Sequence, residues 1–308
     1  MITVAGEALI DLVLEPDGTL TSALGGAPFN TARTCGRLGA DVGFVGSISH
    51  DRFGIRLLDQ LVADRVRTDG VTRCDAPTTL AVAQLDDRGA AGYRFYFEGT
   101  SAPALSTSLD VAHGMLFVGG LGLALQPMAT AVEAIVAGAS GDVAIMVDVN
   151  ARPAIVSDRR QYVARVERVL GSAHLVKVSD EDLAYLEPGQ PPIDVARQLL
   201  DAGPSAVLLT AGGDGVVVLT RDSEHRVAVE PVEVVDTIGA GDAFSGGFMA
   251  WWAASALSTA ELSSLDHVVA AVEAACTVAG VVCSRRGADP PWRHELPDSW
   301  SAHAERRR

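Results

Sequence analysis

Short apolar runs alternate with longer amphipathic segments along most of the chain, and this rhythm limits the possible folds more than any other feature. Six runs are typical of β-strands: "MITVAGEALI", "VGFVGSIS", "MLFVGG", "VAIMVDVN", "LVKVS" and "AVLLTAGGDG". The segments with helical character are those that follow Pro28, Phe53, Pro127, Arg159, Asp194 and Ala240. The alternation predicts an α/β fold in which helices cover both faces of a mainly parallel central sheet.

Ligands of such sheets bind outside the carboxyl ends of the strands. Polar residues close several of the predicted strands, and we expect them to share one edge: Asp148, Asn150, Lys177, Ser179, Thr210 and Asp236. For Asp236, the preceding run from Val232 to Val235 is interpreted as a strand.

Two stretches interrupt the rhythm and predict β-hairpins. "LIDLVLEPDGTLTSALGG" carries a Pro-Asp-Gly turn signal, and "TTLAVAQLDDRGAAGYRFYFEG" has two β runs around "DDRG". We expect these stretches, roughly residues 11–25 and 77–100, to form a small sheet that covers the strand ends as a lid.

Composition excludes several classes of protein. The 308 residues, 48% of them hydrophobic, suffice for one large core, so we expect a single domain over residues 1–308. A net charge of −15 argues against a nucleic-acid partner. No export signal is visible, and no apolar run approaches the roughly 20 residues that span a bilayer. Four cysteines form no CxxC pair and no cluster with histidine, which favours a cytoplasmic protein without a membrane partner.

The stretch "DTIGAGDAF", residues 236–244, predicts an anion site at a strand-to-helix junction. Unpaired backbone N–H groups at a helix start bind anions, and the small residues Gly239, Ala240 and Gly241 let a phosphate come close. Asp242 is the one carboxylate at the end of this loop. We expect the helix dipole to lower its pKa.

A second glycine-rich stretch, "GGAPFNTARTCGRLGADVGFVGSISHDRFG", predicts a site for hydroxyl groups. Gly25 and Gly26 allow a tight turn, and Asn30 falls one turn into the helix that follows, where its amide can both donate and accept. Asp11 offers two acceptor oxygens for a diol. The alternative is that the glycines form only a turn and that Asn30 is a cap.

Other signatures are missing from the sequence. There is no GxxxxGK[ST] phosphate loop, no complete dinucleotide fingerprint, no HExxH and no GxSxG.

The two glycine-rich stretches resemble the two signatures of the ribokinase family of sugar kinases, also called PfkB carbohydrate kinases. "DVNARP", "VKVSDEDL" and "TAGGDG" lie between them and "RRGADPP" follows them, each in the family's order, so the likeness covers essentially the whole chain. The spacing is most similar to the fructokinase branch. The resemblance implies a ribokinase-like three-layer α/β/α fold with a small β lid.

The resemblance also implies an ATP-dependent phosphoryl transfer. Asp242 would accept the proton of a sugar hydroxyl, while the amides from Gly239 to Asp242 would hold the developing charge. The sugar would be held by Asp11, Gly25, Gly26 and Asn30. The nucleotide site would be formed by Lys177, Ser179, Thr210, Gly212, Gly215 and Gly287.

Metal and phosphate contacts follow from the same resemblance. The family's Asn-x-x-Glu motif, which organises Mg²⁺ through water, stands here as Ser179 and Asp182. Asp236 and Ile238 match part of a monovalent-cation site that holds K⁺ in many members. Arg152 and Lys177 would contact phosphate, or alternatively form structural salt bridges. Lid sheets of the family often pair across a homodimer.

For the substrate, the resemblance favours a neutral sugar, with fructose ahead of ribose. Branches that act on keto-deoxy acids tend to carry an arginine where this chain has Glu98, and a carboxylate should repel an acidic substrate. The alternatives are a kinase of another small hydroxyl compound, such as a nucleoside, a polyol, a sugar phosphate or 2-keto-3-deoxygluconate, or a non-catalytic sugar-binding relative.

Overall fold

A large sheet and a small sheet organise the protein. The computed structural model describes residues 1–14, 17–85, 91–106 and 111–301. Its strands are β1 Ile2–Ala5, β2 Leu9–Leu14, β3 Leu20–Gly25, β4 Val42–Ser49, β5 Arg67–Cys74, β6 Leu80–Leu85, β7 Ala91–Tyr96, β8 Gly114–Gly119, β9 Val143–Asp148, β10 Leu175–Ser179, β11 Ala206–Thr210, β12 Val216–Thr220 and β13 Ser223–Val227. Its helices are α1 Ala27–Arg37, α2 Arg52–Ala63, α3 Met128–Gly138, α4 Arg159–Leu170, α5 Asp180–Leu186, α6 Pro192–Asp201, α7 Ala240–Ala254 and α8 Leu265–Cys283.

The large sheet has the strand order β13-β12-β11-β10-β9-β8-β1-β4-β5. Every neighbouring pair from β11 to β5 is parallel, and only the edge strands β12 and β13 are antiparallel. The mainly parallel sheet is therefore confirmed, while the antiparallel edge was not predicted.

Successive residues of the central strands point into two separate hydrophobic cores. In β8, Phe117 packs with α1, α2, α7 and α8, whereas its neighbours Leu116 and Val118 pack with α3, α4, α5 and α6. Burial on both faces explains why these strands are continuous apolar runs. The three-layer α/β/α architecture follows directly and confirms the predicted fold class.

The small sheet has the order β3-β2-β6-β7 and joins the two predicted hairpins. β2 pairs antiparallel with β3, β6 pairs antiparallel with β7, and β2 lies parallel to β6. Both hairpins are confirmed in their strand pairing. The "DDRG" stretch and Pro16 lie outside the described residues.

Two sequence-based expectations are wrong. Val232 to Val235 form an exposed irregular segment and no strand, because among the described residues its backbone pairs with no strand and reaches α8 through Val235 N, which donates to Cys283 O at 2.9 Å. The expectation that no apolar run approaches membrane-spanning length fails for α8. By length and composition, this 19-residue helix is the one described helix that could cross a bilayer. It packs against α7 and carries buried Val268, Val272 and Val278, as the core helix of a globular fold does.

Candidate active site

A cleft of about 740 Å³ opens between the carboxyl ends of the large sheet and the small sheet. The small sheet contributes Asp11 and Phe95, and the strand ends of the large sheet contribute Lys177 and Ser179. The start of α7 closes the cleft on a third side. The predicted covering sheet therefore meets the strand ends around one cavity. Of the six polar residues predicted to share this edge, Asn150, Lys177 and Ser179 line the cavity, whereas Asp148, Thr210 and Asp236 do not.

The start of α7 leaves backbone donors unpaired. Gly239 precedes the helix in the left-handed conformation, with φ of 78°, which a residue with a side chain adopts only with strain. Ala240 N donates to Thr237 O at 3.2 Å, but the amides of Gly239, Gly241 and Asp242 have no acceptor among the described residues. These three N–H groups can bind an anion.

Asp242 is fixed by α1, although the two residues are far apart in the chain. Asn30 Nδ2 donates to Asp242 Oδ2 at 2.9 Å, and Thr31 Oγ1 donates to the Asp242 carbonyl at 3.3 Å. Desolvation raises the pKa of Asp242 to about 6, and the Asn30 hydrogen bond acts in the opposite direction. The expectation that the helix dipole would lower this pKa is wrong, because burial outweighs it.

The predicted sugar-binding residues lie together beside Asp242. Asp11 and Asn30 line the cleft, and Asn30 Oδ1 is buried without a partner in the described part of the chain. Gly26 starts α1 with φ of 105°, and Gly25 leaves the space that the Asp11 carboxylate occupies. Desolvation raises the pKa of Asp11 to about 7; Asp242 adds to the effect and Arg152 opposes it.

Glu7 is a cleft residue that the sequence reasoning missed. It is 2% exposed, and its two oxygens accept the amides of Ala27 at 3.3 Å and Gly122 at 3.2 Å. Desolvation raises its pKa to about 7. The signal was a glutamate inside the otherwise apolar run "MITVAGEALI".

Lys177 forms a salt bridge and also borders the anion loop. Its Nζ lies 2.7 Å from Asp148 Oδ2, and both side chains are buried. A Cβ built on Gly241 would lie 3.4 Å from the same Nζ. Arg152, in contrast, is exposed at the cleft, makes no ion pair within the described residues, and donates to the Ala151 carbonyl at 3.0 Å.

Ser179 and Asp182 form a capping box at the start of α5. Asp182 Oδ2 accepts Ser179 N at 2.9 Å, and Oδ1 accepts Ala151 N at 2.6 Å. Both residues line the cleft. No group of three histidine, cysteine, aspartate or glutamate side chains that could hold a metal ion occurs in the described ranges.

Among the remaining predicted residues, Ile238 lines the cleft, whereas Asp236, Thr210, Gly212, Gly215 and Gly287 do not. Asp236 joins two loops, since Oδ1 accepts Ile238 N at 3.0 Å and Oδ2 accepts Gly287 N at 2.9 Å. Thr210 donates to the Val178 carbonyl at 3.2 Å. Gly212 and Gly215 flank the turn after β11 with positive φ.

Glu98 does not line the cleft. It is exposed beyond the end of β7, so its charge cannot carry the argument against acidic substrates. The acidic groups that face the cleft are instead Glu7, Asp11 and Asp242, together with Glu181 and Asp182.

Comparison with known proteins gives one consistent result. The model of the pfkB family of carbohydrate kinases matches residues 1–295. A fructokinase of Rhizobium leguminosarum bv. trifolii is 35% identical over 277 residues, which cover 87% of this chain and 84% of that protein. A fructokinase of Salmonella typhimurium is 30% identical over 275 residues, covering 86% and 88%.

Solved structures with the same fold carry ligands. Fructokinase from Vibrio cholerae O395, bound to fructose, ADP and a calcium ion, superposes with a TM-score of 0.82 at 26% identity, over 93% of this chain and 94% of that one. Fructokinase from Xylella fastidiosa with bound ATP gives a TM-score of 0.84 at 25% identity, over 99% and 97%.

Proposed function

The chain belongs to the pfkB family of carbohydrate kinases, and we propose that it transfers the γ-phosphate of ATP to a hydroxyl of fructose. One observation carries the chemistry: a carboxylate with a pKa of about 6 stands in the same helical turn as three amides without acceptors. The choice of fructose is supported by the relatives named fructokinase and by the hydroxyl-binding groups beside that carboxylate.

In the proposed mechanism, Asp242 accepts the proton of the attacking sugar hydroxyl. A pKa of about 6 leaves the carboxylate ionised at neutral pH and still makes it a better base than an ordinary aspartate. The Asn30 amide fixes the orientation of the carboxylate. The proton therefore moves from the hydroxyl oxygen to Asp242 as the new oxygen–phosphorus bond forms and the bond to ADP breaks.

The developing negative charge is held by the amides of Gly239, Gly241 and Asp242. Donors that are already oriented cost no reorganisation during the reaction. The ammonium group of Lys177 borders the same space, and its salt bridge with Asp148 holds it there. Because phosphoryl transfer depends mainly on positioning and charge, these groups supply the protein's own part of the charge stabilisation.

Sugar binding is assigned to Asp11, Gly25, Gly26 and Asn30. Asp11 accepts two hydroxyl groups, and the unpartnered Asn30 Oδ1 accepts a third. Arg152 faces the same space and can contact either the sugar or the transferred phosphate. The nucleotide is assigned to the rim on the side of Thr210, Gly212, Gly215 and Gly287, next to Ser179.

Mg²⁺ is proposed to arrive with ATP and to be held chiefly by phosphate oxygens, which is its usual arrangement in kinases. The Asp182 carboxylate could contact the ion through a water molecule, because each of its oxygens accepts one backbone amide and retains a lone pair. When bound, the ion neutralises phosphate charge. A K⁺ ion near Asp236 and the Ile238 carbonyl stays part of the proposal.

We propose a homodimer through the small sheet, because β3 and β7 are edge strands in the described residues and Leu20 of β3 is 57% exposed. Light scattering of the purified protein tests it. Because the proposed reaction consumes ATP, we propose that the protein acts in the cytoplasm. We also propose that residues 1–308 form a single domain.

The test is ADP release measured with a panel of acceptors, with and without K⁺. Fructose should give the highest kcat/KM, ahead of ribose, a nucleoside, a polyol and 2-keto-3-deoxygluconate. A higher value for another acceptor would correct the substrate. Fructose binding without ADP release would instead support the non-catalytic alternative and contradict the proposal.

A further inference from the structure

A buried group of ion pairs connects α1 with the end of α2. Arg33 is 5% exposed and Asp64 1% exposed, and Arg33 Nε lies 2.6 Å from Asp64 Oδ2. Arg37 Nε lies 2.7 Å from the other oxygen, Asp64 Oδ1. Burying such charges costs desolvation free energy, which offsets much of their mutual attraction. A buried group of ion pairs is therefore weak evidence for a role in stability alone.

The same two guanidinium groups hold a loop that follows α8. Arg33 Nη1 donates to the Ala288 carbonyl at 2.9 Å. Arg37 Nη1 donates to Asp289 Oδ1 and to the Pro290 carbonyl, each at 2.6 Å. Asp64 therefore fixes both arginines, and the arginines fix residues 288–290.

This loop packs directly behind the unpaired amides of α7. A Cβ built on Gly239 would lie 2.5 Å from the Ala288 Cβ, so the two residues are in close contact. Asn30, one turn before Arg33 on α1, holds Asp242. The helix α1 thus fixes the proposed base from one side and, through Arg33 and Ala288, the start of α7 from another.

We propose that Arg33 is a positioning residue for phosphoryl transfer. Paired with Asp64, it holds Ala288 against Gly239 and so fixes the direction in which the amides of Gly239, Gly241 and Asp242 point. The inference rests on the proposed transfer at this loop, but it does not depend on fructose being the acceptor.

The test replaces Arg33 by Met and by Lys and compares both with a matched control. Arg165 is also 5% exposed, and it likewise binds one carboxylate, of Glu133 at 2.9 Å, and one carbonyl, of Leu123 at 3.3 Å. We expect Arg33→Met to lower kcat by about tenfold or more, because a shift below 1 Å at a transfer site is costly. The sugar KM should stay within about twofold.

The conservative variant and the control separate positioning from stability. Arg33→Lys should recover part of kcat, since its ammonium group can reach one of the two partners. Arg165→Met should lower the melting temperature about as much as Arg33→Met without the loss of kcat. Equal loss of kcat in both Met variants, at equal loss of stability, would overturn the inference.

A smaller change tests the far end of the connection. Ala288→Gly removes the Cβ that packs on Gly239 and should lower kcat in the same direction. Its effect should not add to that of Arg33→Met, because both act through one contact. If Arg33→Met does not fold, an unchanged kcat in Ala288→Gly overturns the inference. A wild-type protein that phosphorylates no sugar refutes the proposed function and the inference with it.

Discussion

Glu7, Asp11 and Asp242 lie at the end of the cleft that is proposed to bind the sugar, and the pKa of each carboxyl group is higher than that of a free side chain. Desolvation raises the pKa of Glu7 and of Asp11 to about 7 and that of Asp242 to about 6. Asp242 adds to the shift of the other two. Such groups are typical of functional sites, because a base works best with a pKa near the working pH.

These values predict the pH dependence of sugar turnover. Asp11 must be ionised to accept two hydroxyl groups and Asp242 to accept a proton, so both lose function as the pH falls through their pKa values. We expect kcat/KM for the sugar to fall below about pH 7 and to fall more steeply below about pH 6. A flat profile down to pH 5, in protein that circular dichroism shows to be folded, would contradict both assignments.

A substitution of Asp11 tests sugar binding separately from the phosphoryl-transfer step. Asp11→Ala removes a charge-assisted pair of hydrogen bonds, each worth about 1.5–3 kcal/mol, so the sugar KM should rise at least about tenfold while the ATP KM hardly changes. Asp17→Ala is the control, since Asp17 is exposed in the turn of the same hairpin. Weakened ATP binding with normal sugar binding would place Asp11 in the wrong site.

At the scale of elements, the sequence predicted best where local pattern and packing agree. The central strands are apolar on both faces, so each is a continuous apolar run that can be recognised in the sequence without knowing its neighbouring strands. The edge strand β13 has four exposed residues out of five, and its sequence "SEHRV" therefore carries no apolar run. Conversely, Val232 to Val235 resemble a strand, but no strand in the described part of the chain pairs with them, which no local pattern reveals.

Contacts between distant elements explain the site residues that were missed or misplaced. The Asn30–Asp242 hydrogen bond joins residues 212 positions apart, and Glu7 reaches Gly122 across the parallel pair β1 and β8. The pKa of Asp242 likewise depends on burial, which raises it, and on the hydrogen bond from Asn30, which lowers it. A sequence motif identifies the residue but not its surroundings.

The first turn of α7 gives the element-scale prediction. Gly241→Val should abolish turnover and leave the fold largely intact, because the branched side chain would fill the space between the amides and Lys177 Nζ. Ala254→Val is the control, at the exposed last residue of the same helix. Near-normal kcat in folded Gly241→Val protein would remove the anion-binding assignment from this turn.

At the scale of the molecule, the cleft is shared by two sheets, so a ligand that fills it links them. Leu9, Asp11, Ala81 and Phe95 of the small sheet face the polar residues of the large sheet across this space. A ligand that binds only the folded state at 100 times its Kd adds about 2.7 kcal/mol to the free energy of unfolding.

Fructose and ADP should therefore each raise the melting temperature of the wild-type protein. In Asp11→Ala, the fructose shift should disappear while the ADP shift stays, because only the sugar contact is removed. An equal fructose shift in both proteins would show a general solvent effect of the sugar and would contradict the assigned site.

The central claim is that Asp242 is the base of a phosphoryl transfer, and the kcat of Asp242→Asn tests it most directly. Asparagine is nearly isosteric and can occupy the helix start, but it accepts no proton at neutral pH. We predict a protein with a nearly unchanged melting temperature, intact binding of ATP and sugar, and a kcat lower by about 10²–10⁴-fold. A stable Asp242→Asn protein with normal kcat would contradict the account, because Asp242 would then serve only the structure of the helix start.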